Sequence, residues 1–135
     1  MHEELRLTIP NDLQELERVN ELAGALLERR GVSERIVYAT HLALEEVLSN
    51  VIRHGYEDTC RHEIALVLRV DEGSVEIEVL DDGREFDPVS APEVDLALPL
   101  ARRRPGGLGI HLLRQFVSEI RYERIGDRNL LWLRI

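Results

Sequence analysis

Leu42 to Tyr56, LALEEVLSNVIRHGY, is the stretch whose reading decides the fold. Leu44, Val47, Leu48, Val51 and Ile52 recur at helical spacing, which predicts an amphipathic helix with one apolar face turned inward. Glu46, Asn50 and His54 follow at intervals of four and form a polar row along the side of that helix. Charged residues on a helix are most simply a solvated face. The same row also sets a carboxylate one turn from an amide, which suits a proton acceptor beside an oxygen ligand for a hard metal ion. The remainder of the chain bears on the choice, because it offers glycine-bearing turns at Asp81–Gly83 and Gly106–Gly109.

Working outward toward the start, Ser33 is a plausible N-cap for this helix, which runs to about Gly55. Leu13, Leu16, Val19, Leu22, Ala23, Leu26 and Leu27 mark an earlier amphipathic helix that ends near Gly31, with Asn11 or Asp12 available to cap it. Before it, Leu5, Leu7 and Ile9 alternate as in a short strand closed by Pro10. Toward the end, Glu63 to Val70 and Val75 to Leu80 read as two strands of a hairpin joined by Asp71–Gly73. Arg84 to Pro105 reads as a long loop, a length more often functional or disordered than structural in a small domain. Leu108 to Ile120 is expected to be a third helix, followed by strands Ile120–Ile125 and Asn129–Ile135 about a Gly126-Asp127 turn. The order β-α-α-β-β-loop-α-β-β predicts an α+β fold: a two-layer α/β sandwich whose mixed, mostly antiparallel sheet is covered on one face by about three helices.

A chain of 135 residues fits one domain, residues 1–135, and 44% hydrophobic with 32% charged residues is a globular composition. A net charge of −9 argues against binding along a nucleic-acid backbone. Cys60 is the sole cysteine, which excludes an internal disulfide and a thiolate metal cage and suits a cytoplasmic protein. The opening MHEELRLTIP lacks the layout of a signal peptide, and no apolar run approaches the roughly 20 residues that span a bilayer. No membrane partner is expected.

The polar groups suit a nucleotide. An adenine amine needs an acceptor, which Asp81 at a strand end can supply. A base lying on backbone needs a residue without a side chain, such as Gly83. Arg104-Pro105-Gly106-Gly107-Leu108-Gly109 opens the third helix, and a helix start rich in glycine offers free N–H groups to phosphate. Asn50 can serve as the one protein ligand of a magnesium ion, and Glu46 can accept a proton from an attacking hydroxyl. His54 is either a helix-end residue facing the last carbonyls or a further member of this nucleotide site. Arg102, Arg103 and Arg104 read equally as a solvated run or as phosphate partners.

Glu46-x-x-x-Asn50, Asp81-x-Gly83 and Gly107-x-Gly109, in that order, resemble the N box and the two glycine boxes of the GHKL ATPases, the Bergerat-fold group. ALEEVLSNVIRHGYED and PGGLGIHLLRQFVSEIRYER are similar to the small bacterial anti-sigma-factor serine/threonine kinases, and the resemblance extends from about Thr8 to Ile135. It implies an ATP-binding anti-sigma regulatory factor with serine-protein kinase activity. The cofactors implied are ATP and Mg2+, the substrate a serine of an anti-sigma-factor antagonist, and the further partners a sigma factor and a second copy in a homodimer. By the same resemblance Glu46 is the catalytic base, Asn50 the magnesium ligand, Asp81 and Gly83 the adenine site, and Gly107 and Gly109 phosphate-binding glycines. Arg84 to Arg104 corresponds to the ATP lid.

Three features depart from the family pattern. Glu85 stands where a further glycine is common, Asn129-Leu130-Leu131 stands where the last strand often carries a threonine, and the lid is short. They motivate an alternative: an ATP-binding regulatory module without phosphoryl transfer that acts by protein–protein interaction. A detached histidine-kinase ATPase domain fits less well, because no phospho-acceptor hairpin stands before the second helix and His41 lies on that helix itself.

Overall fold

The computed structural model describes residues 3–87 and 107–135, the side chains of residues 107–111 excepted. The elements are β1 (Glu3–Pro10), α1 (Glu15–Arg30), α2 (Glu34–His54), β2 (Glu63–Asp71), β3 (Ser74–Asp81), α3 (Gly107–Phe116), β4 (Glu119–Ile125) and β5 (Arg128–Arg134). The expected loop from Arg84 to Pro105 lies mostly outside the described residues, as do Arg104 and Gly106.

The central helix forms as its periodicity predicts. Ser33 is extended at φ −63° and ψ 156°, and its hydroxyl accepts the Ile36 N–H at 3.3 Å. Leu44, Val47 and Leu48 are buried, and Val51 and Ile52 pack against the same core. Helix α1 starts later than its first apolar residue. Asp12 accepts the Gln14 N–H through its side chain and the Glu15 N–H through its carbonyl, so a turn precedes the helix. Leu13 and Leu22 are each 38% exposed, while Leu16, Val19, Ala23, Leu26 and Leu27 face the core. Gly31 ends α1 in the left-handed conformation, φ 65°.

The strands form one five-stranded sheet in the order β1-β2-β3-β5-β4. Every pairing is antiparallel, so the mostly antiparallel sheet expected from sequence is antiparallel throughout the described residues. Ile64, Leu66, Leu68 and Val70 of β2 and Val75, Ile77 and Val79 of β3 are buried under the helices, and Leu133 of β5 joins them. Their neighbours in sequence look outward, as the period of two requires. Two tight turns close the hairpins, with Gly73 at φ 72° and Gly126 at φ 60°, conformations that suit glycine.

Helix α3 is shorter than the periodicity suggested, ending at Phe116 rather than Ile120. The backbone N–H and the hydroxyl of Ser118 both donate to the Arg134 carbonyl, and Glu119 then pairs with Arg134 in the ladder. Pairing with β5 therefore overrides a local helical pattern over Val117 to Ile120. No helix among the described residues is long and apolar enough to cross a membrane.

Candidate functional site

The site begins where the end of α2 meets the end of β3. Gly55 caps α2, and its carbonyl accepts the Arg84 N–H at 2.8 Å. Gly83 lies against that carbonyl. A Cβ there would stand 2.8 Å from Gly55 O and 2.9 Å from Asp81 Oδ1. The sequence suggested Gly83 for contact with a base, but the chain's own backbone already requires glycine at this point. The contact joins the two expected boxes: the row Glu46, Asn50, His54 runs down α2 toward the Asp81–Gly83 turn. All three row residues are half-buried, with His54 at the last position of the helix.

Asp81 ends β3 on the core-facing side and is 5% exposed. Its Oδ1 accepts the Gly83 N–H at 2.8 Å and the Asn129 amide at 3.0 Å. Burial pushes this carboxyl above its ordinary value, and those two hydrogen bonds oppose the shift. Both bonds land on Oδ1, which leaves Oδ2 available to a donor from a ligand.

Asn129 is the residue whose part sequence reasoning missed. Read as the absence of a threonine, it is in fact buried at 6% exposure and ties three segments together. Its Nδ2 donates to Asp81 Oδ1 and, at 2.9 Å, to the Arg84 carbonyl, with Gly83 O at 3.4 Å. Its Oδ1 accepts from the Tyr122 hydroxyl and from Arg124 Nη1, the latter at 3.0 Å. Arg124 Nη1 also donates to the Gly83 carbonyl at 2.8 Å. The available signal was its phase: Asn129, Leu131 and Leu133 alternate on the inner face, and a polar residue there needs partners.

Two more residues were not singled out by sequence. Tyr56 follows α2, and its hydroxyl is buried with no hydrogen-bond partner among the described residues. Burial, followed by the charges of Asp81, Asp82 and Asp58, pushes this phenol well above its ordinary range. An orphaned hydroxyl beside an acidic turn is a polar group still to be satisfied. His62 stacks on the Tyr56 ring, centroids 4.2 Å apart, and lies between Asp58 at 2.8 Å and Asp82 at 3.1 Å. Those two carboxylates hold the His62 imidazole above its ordinary value.

At the other end of the row, burial and then the neighbouring Glu45 raise the Glu46 carboxyl, while Arg53 opposes them. Gly107, Leu108 and Gly109 are the first residues of α3, which packs against α2, and the first N–H groups of a helix have no partner within it. The described residues of the expected site thus fall on α2, the turn after β3 and the start of α3; α2 meets the turn at Gly55 and packs against α3.

Comparison with known families decides the relationship. The family model described as a histidine kinase-like ATPase domain matches residues 9–135. This chain belongs to that family. Among curated relatives, the domain is 32% identical over 101 residues to the serine/threonine-protein kinase BtrW of Bordetella bronchiseptica, covering 75% of this chain and 71% of that one. It is 24% identical over 122 residues to the serine-protein kinase RsbW of Bacillus anthracis, covering 87% of this chain and 76% of that one. A crystal structure holding RsbU and RsbW domains of a Mycobacterium tuberculosis protein superposes with a TM-score of 0.65 at 19% identity. That match covers 98% of this chain and 32% of the solved chain, so this chain spans about a third of that protein's length; the likeness is one of fold.

Proposed function

We propose that this domain binds Mg-ATP and transfers the γ-phosphoryl group to a serine of an anti-sigma-factor antagonist, so that sigma-factor availability is set by partner switching. The observation that carries the reading is the contact at Gly55 and Gly83, which brings the end of α2, the helix that bears Glu46 and Asn50, against the turn after the buried Asp81. From Gly55 back to Glu46 is nine residues, about 13 Å of helix at about 1.5 Å each. A nucleotide laid along this row has its base at Asp81 and its terminal phosphate toward Glu46.

Each residue then has a task its chemistry suits. Asp81 Oδ2 accepts from the exocyclic amine of adenine. His54, at the last position of α2, lies at the base end of the row. The helix start at Gly107, Leu108 and Gly109, with Gly106 and Arg104 before it, is the phosphate cradle. Asn50 would hold the magnesium ion through its amide oxygen, and the ion supplies charge neutralisation on the phosphates. Glu46 accepts the proton of the serine hydroxyl as the Ser Oγ–phosphorus bond forms and the bond to the ADP oxygen breaks. A raised carboxyl suits a base that must also release its proton. Kinase chemistry is favoured by the names of the relatives, both protein kinases acting on serine or on serine and threonine. The sigma factor, the homodimer and a cytoplasmic location belong to this proposal as well.

A second reading has an observation in its favour. Glu85 occupies the lid's start in place of a glycine, and Asn129 and Arg124 bind the carbonyls of Gly83 and Arg84 just before it. Restraint at Gly83 and Arg84 suits a domain that holds ATP and a partner without turning the nucleotide over. The two readings separate on Glu46→Ala. With γ-labelled ATP and the antagonist protein, the kinase reading expects retained ATP binding and loss of label transfer. Unchanged transfer in Glu46→Ala removes Glu46 from the base role, and absence of transfer in the wild type favours the binding module.

A further inference from the structure

We infer that Asn129 is a positioning residue of the nucleotide site: with Tyr122 and Arg124 it fixes the Asp81 carboxylate and the Gly83–Arg84 backbone, and leaves recognition of a purine's exocyclic amine to Asp81 Oδ2. The inference rests on the nucleotide reading above and adds to it how the base end is held.

The argument is one of hydrogen-bond capacity. An asparagine side chain has two N–H donors and an oxygen with two lone pairs. Arg124 can only donate, so the amide atom facing it must be the oxygen. The atom facing the Gly83 and Arg84 carbonyls must be the nitrogen. The orientation is thus set by the partners. In that orientation Nδ2 serves Asp81 Oδ1 at 3.0 Å and Arg84 O at 2.9 Å, and Oδ1 serves Tyr122 and Arg124. All four capacities are filled by protein, so Asn129 has none left for a base. A hydroxyl-bearing residue at this place would keep capacity for a ligand. Here the side chain is committed to the protein, and its effect on a ligand passes through Asp81.

The chain supports such a clamp. Tyr122 and Arg124 stand on β4, Asn129 on β5 and Asp81 on β3, and Asn129 pairs with Asp81 and with Arg124 in adjacent ladders. One sheet therefore holds all four residues. Arg124 Nη1 reaches past Asn129 to Gly83 O, so the clamp grips the turn at two carbonyls and one carboxylate. With Oδ1 of Asp81 engaged by Asn129 and by the Gly83 N–H, its second oxygen is the one left to accept.

The test compares two nucleotides that differ only in the group Asp81 would read. Mg-ATP and the triphosphate of purine riboside, which lacks the 6-amine, are titrated by calorimetry into wild type, Asn129→Ala and Tyr122→Phe. Wild type is expected to prefer ATP by about tenfold or more, as for a hydrogen bond to a charged group. Asn129→Ala is expected to lose most of that preference while its affinity for the amine-free analogue changes less than about twofold. Tyr122→Phe, which removes one hydroxyl and keeps the ring, is expected to lose part of it and covers the case in which Asn129→Ala does not fold. Equal weakening toward both nucleotides in the variants means general loosening and overturns the clamp while leaving the nucleotide site standing. An unchanged preference overturns it too. Wild type that binds neither nucleotide overturns the nucleotide reading and the clamp together.

Discussion

Replacing Gly83 by alanine separates a demand of the fold from a demand of a ligand. The backbone φ of Gly83 is not in the left-handed region, so alanine carries no conformational penalty of that kind. The penalty is steric. The new methyl would stand 2.8 Å from Gly55 O, 2.9 Å from Asp81 Oδ1 and 3.2 Å from Gly55 C. The first contact is roughly half an ångström short of ordinary packing, and its partner is backbone. Relief requires the turn to move away from α2, which strains the Arg84 N–H bond to Gly55 O and the Gly83 N–H bond to Asp81 Oδ1. Overpacking costs about 1–3 kcal/mol and a weakened hydrogen bond about 1 kcal/mol, so a loss of about 2–4 kcal/mol is expected. For 135 residues the unfolding entropy is about 0.28 kcal/mol/K, which converts this into a Tm lower by about 7–14 °C. Calorimetric unfolding of the ligand-free protein measures it. A ligand-free Tm within about 1 °C of wild type would refute the reasoning. Gly83 would then be a glycine for its ligand alone.

The other predictions concern the core and two titrating groups. Leu48 is fully buried on α2, and Leu48→Ala is expected to lower stability by about 2–5 kcal/mol in urea unfolding with an unchanged m-value. Burial and Glu45 hold Glu46 above its ordinary value of 4.5, so the base is unprotonated only above that raised value. The acid limb of the transfer rate should therefore lie above pH 4.5 and move to lower pH in Glu45→Gln. His62 is held above 6.5 by Asp58 and Asp82. Its contribution to stability is full below 6.5 and is lost as pH rises through its raised value. Tm measured from about pH 6 to about pH 9 should show this decline, and His62→Gln should remove it.

How much of this was legible in the sequence follows from the range of each interaction. Helix α2 was legible because its apolar residues repeat with the helical period and Ser33 caps it, both local facts. The hairpins were legible because Gly73 and Gly126 mark turns between alternating runs. The end of α3 was not, because the groups that hold Ser118 and start the strand at Glu119 belong to Arg134 at the far end of the chain. Of the expected site, the row on α2 and Asp81 were proposed from residue type and spacing. Asn129 was not, since its partners lie on β3, on β4 and in the turn after β3, and only folding brings them together. Tyr56 and His62 were passed over for the same reason: their significance lies in being stacked beside the Asp81–Asp82 turn.

The most direct test of a nucleotide site on α2 is Mg-ATP titration by calorimetry of wild type and Asn50→Ala in parallel, each with and without magnesium. Binding by wild type that requires magnesium and is weakened in Asn50→Ala is the expected result, because Asn50 is assigned the ion and Asp81 the base. Absence of binding to either protein at millimolar nucleotide, or equal binding with and without magnesium in both, would contradict the site.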